Sequence, residues 1–288
     1  MQKVGQQHLR SLQLPKKGSH KGQNGRLLII GGSRLFHAAS IWALEVASRV
    51  VDLVHYSSVP ENNKLVQKIK ASFRDGMVIA REDIDAYIEE DDSILIGPGM
   101  MRDEETATLT HGLLTRYPHK QWIIDAGALQ MLSLSDIPYN AIVTPHHQEF
   151  AGLWKKMCEE HPEYQEAVTD QDKVQAFAKT YRCIVLLKGE TDIAVSGGTC
   201  DASVCQPGEI YAVSGGNPGM TKGGTGDVLA GLIAALSCTN DPFLAVLVGS
   251  YVNKTAGDDL YRRVGPFFNA SDLTRQIPLT LKRILIGK

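Results

Sequence analysis

Short segments that are apolar throughout alternate with helical stretches along most of this chain, and that alternation narrows the fold more than any other feature. Arg26–Gly32, Leu53–Ser57, Met77–Ala80, Ser93–Gly99, Trp122–Asp125, Ala141–Thr144 and Cys183–Gly189 read as strands. Strands with no polar alternation are buried on both faces, as in a parallel sheet covered by helices. Helical patterns fall between them: Ala38–Val51, Asn63–Ser72, Asp103–Arg116, Ala128–Leu132, Pro145–Cys158 and Asp170–Tyr181. Asp192–Val195 and Glu209–Val213 read as a hairpin or edge pair, and 223–238, 242–262 and 271–286 as C-terminal helices. The expected fold is α/β, with a central, mostly parallel sheet and helices on both faces. Residues 1–25 are polar and read as an arm or a short helix. No linker, composition break or repeat divides 26–288, which are expected to form one domain.

Ligands of such sheets bind at the carboxyl ends of the strands. Gly31-Gly32-Ser33, Gly97-Pro98-Gly99, Asp125, Thr144-Pro145-His146 and Lys188-Gly189 stand at those exits, together with the loop 217–227. One long shared cleft is the expectation.

The richest exit is Asn217-Pro218-Gly219-Met220-Thr221-Lys222-Gly223-Gly224-Thr225-Gly226-Asp227, followed at once by the apolar run Val228–Leu236. A glycine-rich loop entering a helix offers free backbone amides and the positive end of the helix dipole to an anion. Asp227 falls in the first turn. A carboxylate beside an anion hole can take a proton from a hydroxyl while a phosphoryl group is held. The bland alternative is a structural loop with a helix cap. The Walker pattern is missing, and the dinucleotide fingerprint fails because Leu229 stands where its third glycine belongs.

A net charge of −2 over 288 residues gives no support for nucleic-acid binding. The basic stretch Lys16-Lys17-Gly18-Ser19-His20-Lys21 reads as a solvated face. Cys158, Cys183, Cys200, Cys205 and Cys238 are scattered and without zinc spacing, which fits reduced thiols in the cytoplasm. No apolar run is long enough for a membrane span, and no signal core opens the chain.

These residues together resemble the NAD(P)H-hydrate dehydratases of the ribokinase-like superfamily. The matching pieces run from Lys21-Gly22 to about Asp259. They are Ser19-His20-Lys21-Gly22 with Gly25-Arg26, Gly31-Gly32-Ser33, Ala38-Ala39, Gly97-Pro98-Gly99, Asp125–Leu129, Thr144-Pro145-His146 with Glu149, Lys188-Gly189 with Thr191, Asn217–Met220 and Gly223–Asp227. The Gly-x-Gly-Asp core is shared with sugar and vitamin kinases, whereas Asn-Pro-Gly-Met before it is similar to the dehydratase branch. The resemblance implies that ADP or ATP phosphorylates the hydroxyl at C6 of hydrated NADH or NADPH, with Mg²⁺ bridging the nucleotide phosphates. Phosphate then leaves.

By the same resemblance Asp227 is the base, and Gly224, Thr225 and Gly226 form the anion hole. Lys188, Gly189, Glu190, Thr191, Asp192 and Gly226 would contact the nucleotide. Ala39, Gly99, His146 and Asp227 would line the substrate pocket. Ala39 is equally readable as helix packing, Gly99 as a turn after Pro98, His146 as a helix start and Asp125 as a helix cap. A homo-oligomer, such as a tetramer, and a separate NAD(P)H-hydrate epimerase are implied as well. Met101 departs from a usual glycine, His37 from another, and Lys222 is large beside the anion hole. Two other functions remain open: a small-molecule kinase of the same fold, and a nucleotide-binding regulator without catalysis.

Overall fold

The computed structural model describes residues 1–201, 204–206 and 208–287. Its strands are β1 Gln2–Lys3, β2 Arg26–Ile30, β3 Leu53–Ser57, β4 Met77–Val78, β5 Ser93–Ile96, β6 Gln121–Ile124, β7 Ile142–Val143, β8 Ile184–Leu187, β9 Asp192–Ser196, β10 Thr199–Asp201, β11 Val204–Gln206 and β12 Ile210–Val213. One sheet runs in the order β1-β12-β9-β8-β7-β6-β5-β2-β3-β4, and β10 pairs with β11 apart from it. Among the described residues of this sheet β9 alone is antiparallel to its neighbours. The exits of β2, β3, β5, β6, β7, β8 and β12 therefore share one edge, where β9 begins.

Alternate residues of each strand point to opposite faces, and both faces are apolar. Leu28, Ile30, Ile94, Ile96, Trp122 and Ile124 pack against Leu113, Phe150, Leu153 and Phe177 of the helices on one side. Leu27, Ile29, Leu95, Ile123, Ile184 and Leu186 face Ala43, Leu44, Leu229, Ile233 and Ala234 on the other. A further helical layer, Pro242–Val264 and Ala270–Leu281, closes over the outer side of these helices through Val228, Leu232, Val252 and Leu273. This third layer is why Thr225–Ser237 is apolar almost all round: it is covered by the sheet below and by helices above.

The N-terminal segment holds the short helix that was one of its two expected forms, and it adds a strand that was not expected. Gln2–Lys3 adds β1 to the sheet beside β12, and Gln6–Arg10 is a short helix. Leu9 and Leu12 are buried in the outer helical layer. Two leucines three residues apart make one apolar face too short to stand out in a polar stretch. Lys16, Lys17 and Lys21 are exposed, as expected of a solvated face. The helix Ile84–Glu90 was not foreseen. The last helix gives way after Leu281 to a wider turn, Lys282–Ile286, a few residues beyond Pro278, which has no N–H to donate. Cys158, Cys183 and Cys238 are free thiols, whereas the expectation for Cys200 and Cys205 falls on side chains outside the described residues.

The depth of Thr225–Ser237 depends on Gly231. A Cβ there would lie 2.6 Å from Ala43 Cα and 2.7 Å from the Ala43 carbonyl oxygen on the crossing helix Ala38–Ala47. Gly231→Ala is expected to cost about 1–3 kcal/mol by overpacking. Gly112→Ala, in the helix Glu104–Arg116 with nothing within 4 Å of the new Cβ, is expected to gain about 0.5–1 kcal/mol. Urea unfolding of the two variants checks both signs.

Candidate active site

Two strand exits meet across a third. Asp125 follows β6, Lys188 follows β8, and β7 lies between them. The Lys188 N–H donates to the Pro145 carbonyl at the β7 exit (2.8 Å), which holds the lysine against that strand. Its ammonium then reaches Asp125 Oδ1 at 2.9 Å. Asp125 is 2% exposed. The same ammonium lies 3.5 Å from where a Cβ on Gly226 would stand, so it faces the first turn of Thr225–Ser237. Ala126, immediately after Asp125, holds a left-handed φ of 46° as the chain turns into Ala126–Met131. That conformation costs a non-glycine residue about 1–2 kcal/mol.

Asp227 sits in that first turn. Burial and the Asp125 carboxylate push its carboxyl up to about 7, against the pull of Lys188; Glu149 adds to the push. Burial alone would lower the Lys188 ammonium, but Asp125, Glu149 and Asp227 together hold it above its ordinary value. One ammonium thus bonds one carboxylate and feels the charge of two more. A carboxyl poised near neutrality in such company can give and take a proton at working pH.

The loop before the helix is braced from beneath. Asn217 Oδ1 accepts from the Gly219 N–H (3.0 Å), and its Nδ2 donates to Asp258 Oδ1 (2.9 Å). Thr225 Oγ1 donates to the carbonyls of Met220 (2.7 Å) and Lys222 (3.0 Å), so this hydroxyl closes the loop on itself. Gly224 caps the helix with φ 99°, and a Cβ there would lie 2.3 Å from the Trp42 ring. Lys222 donates to the carbonyls of Pro266 and Phe268 and lies over the Phe268 ring at 5.5 Å. Its charge therefore ties down a neighbouring loop.

On the other flank Gly99, with φ 74°, is pressed among three elements. A Cβ there would lie 2.7 Å from the Phe36 carbonyl oxygen, 3.0 Å from Ala39 Cβ and 3.2 Å from Gly32 Cα. Gly99 and Ala39 are thus brought together. Met101 does not share the positive φ of Gly99, so the departure from glycine there carries no backbone strain. His37 has helical φ and ψ, and its Nδ1 lies 3.0 Å from Asn62 Oδ1.

His146 begins the helix His147–Glu160 as a reciprocal cap. Its Nδ1 accepts from the Glu149 N–H (3.2 Å), and its own N–H donates to Glu149 Oε2 (2.9 Å). Half of the imidazole stays exposed. Gln130 Nε2 donates to Glu149 Oε1 (2.9 Å). Beyond Lys188, Gly189 begins a turn in which Glu190 and Thr191 are exposed, and Asp192 points inward at 3% exposure. The Gly189 N–H, Ser250 Oγ and Lys254 Nζ all contact the Asp192 carboxylate. Its carboxylate is thus engaged inside the protein.

Sequence reasoning did not single out Ser250, Lys254 and Asp258. They lie on the long helix Pro242–Val264, whose pattern reads as ordinary packing. Each four residues from the next, they share one face, and that spacing was the available signal. The exits do share one edge, but the contacts fall into separate groups: one around Gly99 and Ala39, one around Lys188 and Asp227, one around Asp192. A cavity of about 400 Å³ lined by Leu12, Leu14, Leu236 and Leu285 is set apart from all three.

A mostly parallel sheet whose exits gather a glycine loop, a first-turn aspartate and a lysine–aspartate pair defines an α/β protein, similar in fold to a ribokinase-like superfamily protein of Enterococcus faecalis, with a TM-score of 0.78, 24% identity, 98% of this chain and 96% of that one covered. The family model described as NAD(P)H-hydrate dehydratase matches residues 27–279, and the chain belongs to that family. It is 32% identical to the ADP-dependent (S)-NAD(P)H-hydrate dehydratase of Xanthomonas campestris, over 97% of this chain and 96% of that one. It is 33% identical to a bifunctional NAD(P)H-hydrate repair enzyme of Methanocaldococcus jannaschii, covering 97% of this chain and 52% of that protein. The chain thus spans about half the length of that relative. Among solved structures it is similar in fold to the ADP/ATP-dependent NAD(P)H-hydrate dehydratase of Bacillus subtilis, co-crystallised with ATP and Mg²⁺, with a TM-score of 0.80, 24% identity and 98% of each chain covered.

Removing one partner of a buried pair leaves the other charge uncompensated. Lys188→Met is expected to cost about 3–5 kcal/mol because Asp125 is left buried and unpaired. Asp125→Asn in the same chain is expected to recover most of that loss. Urea unfolding of the single and double variants at neutral pH reads the coupling directly.

Proposed function

We propose that this protein dehydrates the S form of hydrated NADH and NADPH, using ADP or ATP as phosphoryl donor. The observation that carries the reading is the glycine loop that enters Thr225–Ser237 with Asp227 in its first turn and the Lys188 ammonium facing that turn; burial and Asp125 push the Asp227 carboxyl up to about 7. Asp227 takes the proton of the C6 hydroxyl as that oxygen attacks the terminal phosphorus of the donor. The bond to the bridging oxygen breaks, and AMP or ADP departs. The C6–O bond then breaks with phosphate as leaving group. Loss of a proton from C5 restores the ring double bond. Hydroxide alone is a poor leaving group, which is why the phosphoryl transfer comes first.

The amides of Gly224, Thr225 and Gly226 hold the transferring group at the positive end of the helix dipole. Lys188 meets its charge from the other side while bonded to Asp125. Gly189, Glu190 and Thr191 line the nucleotide side, with Asp192 shaping their turn from within. Ala39, Gly99 and His146 border the nicotinamide side.

Magnesium is the proposed cofactor. No group of three His, Cys, Asp or Glu side chains suited to a metal occurs among the described residues. An ion would arrive on the nucleotide phosphates and would be held through them, beside the amides of Gly224, Thr225 and Gly226. When bound it neutralises charge on the phosphoryl oxygens. No helix among the described residues is long and apolar enough to cross a membrane. A cytoplasmic location, a homo-oligomeric state such as a tetramer, and a functional partnership with an NAD(P)H-hydrate epimerase complete the proposal.

The test is an absorbance assay with hydrated NADH, Mg²⁺ and either ADP or ATP. Growth of the dihydronicotinamide band with release of phosphate is the expected result. A stable phosphorylated product, or silence from a folded sample, overturns the reading. Asp227→Asn is expected to lower turnover by about 10²–10⁴-fold while nucleotide binding persists.

The pH profile follows from the same group. Only ionised Asp227 accepts a proton, so kcat/KM is expected to rise with pH and level off above about 7. Stability runs the other way. The folded carboxyl lies above its ordinary 3.8, so the native state holds this proton more tightly and loses stability as pH rises from about 4 through about 7. Asp227→Asn escapes that loss. Its Tm advantage over the native chain is expected to be larger at pH 8 than at pH 5, by differential scanning calorimetry.

A further inference from the structure

The helix Pro242–Val264 carries a lysine with an unusual set of neighbours. Lys254 is 6% exposed. Its Nζ lies 2.9 Å from the carbonyl oxygen of Gly189, 3.0 Å from that of Glu190, 3.2 Å from that of Gly215 and 3.1 Å from Asp192 Oδ1. An ammonium has three protons to donate, and here it meets four oxygens. Three of the four are backbone carbonyls. A cage of carbonyl oxygens replacing a hydration shell is how proteins bind a bare monovalent cation such as potassium.

The cage belongs to two loops. Gly189, Glu190 and Asp192 form the turn between β8 and β9, which carries Lys188 at its start. Gly215 lies on the β12 exit that leads into Asn217 and the anion loop. Each loop has a separate anchor to the same helix. Ser250 Oγ donates to Asp192 Oδ2 at 2.7 Å, and Asp258 accepts from the Gly216 N–H (3.2 Å) and from Asn217 Nδ2 (2.9 Å). Lys254, between these anchors in sequence, is the residue of the three that touches both loops. Without a positive charge there, three carbonyl oxygens and a carboxylate would converge on one buried point. That arrangement is costly, and the loops would move apart to relieve it.

We propose that Lys254 is a positioning residue whose ammonium serves as a tethered monovalent cation, joining the turn that bears Lys188 to the loop that enters the anion hole. It touches no reacting atom in this scheme. It sets the distance between the group that holds the phosphoryl charge and the amides that receive it. A displacement of about 1 Å at such a site can cost on the order of 100-fold in rate. Removal of the side chain leaves a cage of the right donors for potassium or ammonium ion. The kinetic part of this inference rests on the proposed dehydratase activity; the binding part does not.

The test uses the full chain with Lys254→Ala, assayed in potassium, ammonium, lithium and tetramethylammonium chloride at matched ionic strength. Three quantities are read: Tm, affinity for Mg–ADP, and turnover of hydrated NADH. The variant is expected to lose about 10- to 100-fold in kcat/KM, with Mg–ADP affinity and Tm falling alongside. Potassium and ammonium are expected to restore all three in large part. Lithium is too small to span the cage and tetramethylammonium too large to enter, so neither is expected to help. The native chain is expected to ignore the choice of ion.

Lys254→Gln provides the second arm, since it keeps an N–H donor without the charge. It is expected to fold and to bind Mg–ADP several-fold more weakly than the native chain. Native kinetics and affinity in Lys254→Gln overturn the proposal. So does a folded Lys254→Ala that no cation improves. If the native chain itself fails to act on hydrated NADH, the proposed function falls, and the potassium effects on Tm and Mg–ADP affinity still decide the role of Lys254.

Discussion

The burial of the helix Thr225–Ser237 is the constraint from which the site follows. It is covered by the sheet on one side and by helical neighbours on the others, so its axis has no freedom to shift. Gly231 brings it against Ala43, and Gly249 on the long helix beside it leaves room for Ile233. A helix held this firmly delivers its N-terminus to one place, at the edge where the parallel strands end. The free amides, the dipole and the carboxylate of Asp227 arrive together because they are parts of one rigid element. Surface helices are a poor mount for such a group, since their termini fray and water screens their dipole.

Charge around the turn 188–192 is balanced by two lysine–aspartate pairs that face in different directions. Lys188 reaches from β8 to Asp125 and faces the first turn that carries Asp227. Asp192 reaches back to Lys254 and Ser250 in the helical layer. Buried pairs of this kind add little net stability compared with apolar packing, but breaking one partner is costly. Their value here is geometric. The first pair keeps an ammonium where a phosphoryl group would carry negative charge, and the second keeps the turn beneath it from drifting. Burial raises the carboxyl of Asp227, and the same crowding adds to it, because Asp125 and Glu149 already occupy the negative side of that balance.

Much of this was legible in the sequence because the signals were local. Apolar runs closed by glycine, proline or a charge marked β2, β5, β6 and β8 and also marked their functional exits. The anion loop announced itself by composition, and Asp227 by its place in the first turn. What stayed hidden depends on partners far apart in the chain. Asp192 reads as one more acid in an acidic turn until Ser250 and Lys254, about 60 residues on, are seen to neutralise it. Lys222 reads as a large side chain beside the expected anion hole until Pro266 and Phe268 are found to take its protons. His146 offered a helix-start reading and a ligand reading; the cap with Glu149 is formed, and half of the ring remains open. The two residues of β1 were invisible because so short a strand has no pattern of its own, only a neighbour that will pair with it.

That short strand has a consequence for how the molecule is handled. An unpaired strand edge invites other chains to pair with it, and β1 shields the outer edge of β12. The far end of β12 opens into the loop held by Asp258 and Lys254. Gln2–Lys3 are therefore continuous, through one strand, with the loop that enters Thr225–Ser237. A protease nick within Gln2–Lys3 is expected to bare that edge and to loosen the loop beyond it, whereas a nick beside the exposed Lys16-Lys17 stretch meets no such connection.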